Sequence, residues 1–122
     1  MVHGRQATVD DHAMLLAFIQ EAVREGNFYF TGHGVDKHTG KEQFRPIHAV
    51  EAILNGQIIE VRDDESRCLI CGEVNGLPQS PEYITNYLHC VCEYDNIQNI
   101  VIVTMYRPNS DDWINQHTRR RK

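Results

Sequence analysis

The stretch Tyr87-Leu88-His89-Cys90-Val91-Cys92-Glu93-Tyr94, then Asp95-Asn96-Ile97-Gln98, then Asn99-Ile100-Val101-Ile102-Val103-Thr104-Met105-Tyr106, decides how this chain folds. Both arms are rich in β-branched and aromatic residues, and the four residues between them supply turn chemistry. The pattern predicts an antiparallel hairpin over 87–94 and 99–106. In the second arm both alternating sets, Ile100/Ile102 and Val101/Val103, are apolar, so that strand is expected to be covered on both faces and to lie inside a sheet. In the first arm Leu88, Cys90 and Cys92 form an apolar set, while Tyr87, His89, Val91 and Glu93 are mixed. That alternation turns His89 away from the main core and towards an open groove.

Upstream of the hairpin, Arg67 to Val74 and Ile58 to Val61 read as two more strands, joined by the turn Asp63-Asp64-Glu65-Ser66. Asn75 to Pro81 is a loop by composition and extends to about Thr85. Pro46 suits the first turn of a helix whose buried stripe is Ile47, Val50, Ile53 and Leu54, and Asn55-Gly56 stops it. Asn27 to Thr31, with Phe28, Tyr29 and Phe30, is a short aromatic strand. Before it, Thr8-Val9-Asp10-Asp11 has the form of a capping box. Met14, Leu15, Phe18, Ile19, Ala22 and Val23 then recur at helical spacing as far as Glu25, and Gly26 fits the position just past the end. This order predicts an α+β domain, a four- to five-stranded mainly antiparallel sheet with two helices packed on one face.

The chain has 122 residues, enough for one domain with a real core. The domain is expected to span residues 1–113, closed by Trp113, with 114–122 as a basic C-terminal tail ending Thr118-Arg119-Arg120-Arg121-Lys122. The formal net charge of -5 and a pI near 5.7 run against a chain dominated by a basic, nucleic-acid-binding stripe. No secretory signal is legible and no apolar run is long enough for a bilayer, so no membrane association and a reduced, cytoplasmic setting are expected. Cys68 and Cys71 lie three apart in a strand and so face opposite ways, and Cys90 and Cys92 belong to the apolar set. Buried free thiols are expected rather than a zinc knuckle, with no metal and no other cofactor.

Several blocks carry a resemblance. Phe28-Tyr29-Phe30-Thr31-Gly32-His33, the segment Ala49 to Glu60, Arg67-Cys68-Leu69-Ile70-Cys71-Gly72, Leu88-His89, and Ile102 to Pro108 with Trp113 are similar, in order and spacing, to a bacterial and cyanobacterial family of unknown function, DUF4258. The likeness runs from about Thr8 to Trp113. That family in turn resembles the RelE-like and MqsR-like toxins of toxin-antitoxin systems. The resemblance implies a RelE/MqsR-like fold, a metal-independent endoribonuclease acting on RNA, and a zinc-finger partner of the MqsA antitoxin type. It also implies a site: in the family the first strand leads to a histidine followed by basic residues at the fourth and eighth positions after it, here His33, Lys37 and Lys41. Lysine keeps the charge of the family's usual arginines and loses their bidentate geometry.

Cutting RNA without metal uses the 2′-hydroxyl as nucleophile, and needs a base, an acid and positive charge at the phosphorane. His33, His89 and Lys37 are the candidate catalytic residues, and Lys41, Arg67, Tyr106 and Arg107 the candidate substrate-binding ones. The alternative function is a non-catalytic protein-binding or regulatory module of the same fold, in which Arg67 and Arg107 only pair with neighbouring carboxylates. The two readings part on geometry. A cutting site needs the His33 and His89 rings within roughly 12 Å across one cleft.

Overall fold

The structure is a computed structural model that describes residues 9–31, 46–77, 79, 81–94 and 99–120. Among the described residues ten elements follow one another: helix α1 (Val9–Arg24), strand β1 (Phe28–Phe30), helix α2 (Pro46–Asn55), β2 (Gln57–Arg62), a 3-10 turn (Asp63–Glu65), β3 (Arg67–Glu73), β4 (Tyr87–Glu93), β5 (Ile100–Tyr106), β6 (Trp113–Asn115) and β7 (Thr118–Arg119). Five strands form one sheet in the order β1-β5-β4-β3-β2, and β6-β7 form a separate two-stranded sheet. The fold is α+β, as expected. The 87–106 hairpin is at its centre, with β5 held between β4 and β1, although its turn at 95–98 lies outside the described residues. Pairing is antiparallel throughout the main sheet except for β1, which runs parallel to β5.

The core lies between this sheet and the helices. Ile70, Leu88, Cys90, Cys92, Ile100, Ile102 and Met105 from the strands meet Ile19 and Val23 of α1 and Ala49, Ala52 and Ile53 of α2. Most of each expected stripe meets the core, Leu15, Ile19, Ala22 and Val23 from α1 and Val50, Ile53 and Leu54 from α2, but its edges do not. Met14 and Phe18 of α1 and Ile47 of α2 are exposed, and the contact of α2 runs through its alanines. The reason is a close approach: a Cβ on Gly72 of β3 would overlap the backbone of Ala52, so only small residues fit where α2 crosses the sheet. Polar side chains fix that crossing. The Asn55 side chain exchanges two hydrogen bonds of 2.9 Å with the Glu73 backbone. Gln20 of α1 donates to the carbonyls of Ile53 and Leu54 at 3.0 and 3.2 Å, filling acceptors that the end of α2 leaves open.

Two β-bulges determine what reaches the other face of the sheet. Ile58 pairs with Ile70 and Glu60 with Leu69, so Ile59 is an extra residue in β2. Val91 pairs with Thr104 and Cys92 with Ile102, so Val103 is an extra residue in β5. Each bulge reverses the alternation beyond it. Glu60 therefore leaves the face of Ile58, Met105 joins the core, and Thr104 and Tyr106 turn to the face that carries His89. Residues 114–120, expected as a solvated tail, instead belong to the fold. Trp113 pairs with Arg119, and the Asn115 side chain accepts from the His117 backbone at 2.8 Å to make the turn.

Candidate functional site

On the face of the sheet opposite the helices, a groove of about 300 Å³ runs along β2, β3, β4 and β5. Its floor is Leu69, Val91 and Val103, and its walls carry Glu60, Arg62, Glu65, Arg67, Thr104, Tyr106 and Arg119. The bulge in β2 supplies Glu60, the bulge in β5 supplies Tyr106 and Thr104, and the hairpin β6-β7 supplies Arg119.

The charges are largely compensated. Arg67 bonds Glu93, its directly paired neighbour on β4, at 3.1 Å. Arg119 grips Glu60 through two nitrogens at 2.8 and 3.1 Å, while its guanidinium lies 4.5 Å from the Trp113 ring centre. That bidentate bond strengthens the hold of Arg119 on its proton. Arg62, at the exposed end of β2, makes no ion pair among the described residues.

His89 was expected to open onto such a groove, and it does not. The ring is on the groove side of the sheet, yet it has no exposed surface. Trp113 packs edge-to-face against it at 4.4 Å and Tyr106 at 5.2 Å. Its Nε2 lies 2.8 Å from the Gln116 carbonyl, which can only accept, so the ring proton sits on Nε2. Nδ1 is then an acceptor, and the Tyr106 hydroxyl donates to it at 3.3 Å. Burial lowers the His89 pKa to about 4, against the smaller opposing pull of the Gln116 carbonyl and of Glu60. Burial likewise raises the Tyr106 phenol to about 12. At neutral pH both groups are uncharged and bonded to each other, and in this arrangement neither imidazole nitrogen is free.

The other expected residues fall in three places. His33, Lys37 and Lys41 lie outside the described residues. Arg67 and Tyr106 line the groove. Arg107 does not: it is buried, with its guanidinium 4.6 Å from the centre of the Tyr83 ring, and holds the 81–85 loop beside Asn109, which bridges to Tyr83. Glu60, Arg62, Thr104 and Arg119 were not foreseen. For Arg119 a signal existed, since Trp113 and Arg119 flank the turn-forming Asn115-Gln116-His117. For Glu60 and Thr104 none did, because a bulge leaves no mark in the alternation.

All four cysteines are free and buried. Cys68 faces the helices opposite Cys92, whereas Cys71 faces the other way, paired with His89. Burial pushes the Cys71 thiol up to about 12, so beside a neutral imidazole it is no nucleophile. Among the described residues no helix is long and apolar enough to cross a membrane. No family model, curated protein or solved structure matches this chain.

Proposed function

We propose that this chain is a non-catalytic binding module whose groove holds an extended segment of a protein partner. The observation that carries this reading is the enclosure of His89, with both ring nitrogens engaged and the ring held neutral. In this form the groove has an apolar floor and a rim of hydrogen-bonding groups, and among the described residues its imidazole is sealed beneath the rim. Such a surface accepts an apolar anchor below and polar groups above, the usual make-up of a recognition site. The rim alternates in sign, with Glu60 and Glu65 among Arg62, Arg67 and Arg119, unlike the single-signed stripe that a phosphate backbone selects. The resemblance to MqsR-like proteins supplies a candidate partner class, a zinc-finger protein of the MqsA type. The four free thiols suit a reducing cytoplasm.

A displayed library of random peptides, panned on the natural chain and on a Val91→Arg chain with the same melting temperature, tests this reading. Enriched peptides should bind the natural chain and lose at least about tenfold in affinity, some 1.4 kcal/mol, when the groove floor is blocked. Peptides that bind both chains equally, or no enrichment at all, would remove the groove as a peptide site.

A second reading is favoured by one observation: Tyr106, Arg62, Arg67 and Arg119 share the groove. A phenol that stacks a base, with guanidinium groups that meet a phosphate, would serve a metal-independent endoribonuclease, the toxin of a type II toxin-antitoxin pair. Induced expression in bacteria, scored for growth arrest and RNA cleavage with Tyr106→Phe and Arg62→Ala chains as controls, decides it. A harmless natural chain ends this reading.

A further inference from the structure

The hairpin over His89 is attached to the domain in an unusual way. β6 and β7, of three and two residues, are too short to be stable alone. Among the described residues no backbone hydrogen bond joins 113–120 to the five-stranded sheet. The contacts that span the gap come from side chains: His89 to the Gln116 carbonyl, Arg119 to Glu60 and to the Tyr106 hydroxyl, and Trp113 against His89. The Arg119–Glu60 pair is half-exposed, at 49% and 31% of the side chains, so water and salt weaken it. Trp113 differs from the rest of the hairpin. It is 2% exposed and its backbone donates to Asn109 at 3.1 Å, and Arg120 closes the base of the hairpin onto the same turn, donating at 2.8 Å to the carbonyls of Asp112 and Ser110.

We propose that the 113–119 hairpin is a strap hinged at Trp113, and that its release, with the sheet intact, opens the His89 imidazole to the groove. Closed, the strap keeps Nε2 bonded to Gln116 and out of reach. Open, it withdraws the Gln116 carbonyl and frees Arg119 from Glu60, so an imidazole nitrogen, the Tyr106 phenol and the Glu60 carboxylate line one enlarged hollow. An anionic group that competes with Glu60 for Arg119 favours the open form. The two states thus differ in the chemistry they present, a closed binding surface and an open one with an acid–base group. The inference rests on how the hairpin is attached, and holds whichever ligand the groove takes.

The test is labelling of His89 in the full chain with diethyl pyrocarbonate, located by mass spectrometry, alongside backbone amide exchange. In the natural chain the 114–119 amides should exchange at least about a hundredfold faster than those of β3, β4 and β5, because they open without global unfolding. His89 should be labelled at the pace of the hairpin. Arg119→Ala, which removes the ion pair and the contact with Trp113, should raise His89 labelling about three- to thirtyfold. Labelling of His89 that keeps pace with the core amides in the natural chain would overturn the strap, because the ring would then be reached only by unfolding. So would a labelling rate that Arg119→Ala leaves unchanged.

Discussion

His89 occupies a strand position whose alternation sends it off the core, and there it meets a second, smaller core made by Tyr106, Trp113 and Gln116. A neutral imidazole suits such a place because it donates through one nitrogen and accepts through the other, satisfying two buried groups at once. The cost appears in acid. The folded ring resists protonation down to about pH 4, while in the unfolded chain it takes up its proton near 6.5. Between those values the unfolded state binds the extra proton, so stability falls as pH drops through that window, by about 3 kcal/mol for this group alone. Urea titrations of the natural and His89→Asn chains at pH 7 and pH 4 measure it. The advantage of the natural chain should shrink by roughly that amount on acidification, and equal acid losses in both chains would place the effect on other groups.

At the level of elements, the crossing of α2 over β3 illustrates how packing turns a stripe read from sequence. Of the expected stripe Val50, Ile53 and Leu54 meet the core and Ile47 does not, while Ala49 and Ala52 lie deepest because Gly72 lets the two backbones approach. Any side chain at 72 meets the helix backbone, which can only shift as a unit. Gly72→Ala should therefore cost about 1–3 kcal/mol or more, as overpacking does, without changing the expected helix propensity of any segment. A thermal melt unchanged by that substitution would show that α2 has room to move. The bulges at Ile59 and Val103 have the opposite kind of consequence. They leave the core filled while turning Glu60, Thr104 and Tyr106 outward, so the groove is a product of two local register shifts.

For the whole molecule, the boundary of the domain lies beyond Trp113. A chain ending at Trp113 loses the hydrogen bond to His89, the Glu60 ion pair and the cover over Tyr106. It should still unfold cooperatively, but with about 1–3 kcal/mol less stability. Denaturant midpoints of the two chains compare them directly, and no loss on truncation would return 114–122 to the status of a tail.

Read alone, the residues determined the class of fold: the apolar 87–106 hairpin, the helical spacing after Val9 and after Pro46, and the strands before the hairpin are local patterns. Local patterns survive folding wherever nothing nearby competes with them, which is why the element order could be read almost complete. They also indicated that His89 leaves the core side of its strand and that Arg67 has carboxylates on neighbouring strands to pair with. Tertiary structure alone decided what His89 meets there, that Ala49 and Ala52 lie deepest on α2, and that Arg119 crosses the chain to Glu60. Those outcomes depend on bulges, on the distance between backbones and on docking between segments some sixty residues apart, 59 positions for Arg119 and Glu60. None of these is encoded in the spacing of neighbouring residues, because each is settled by the free energy of the assembled layers.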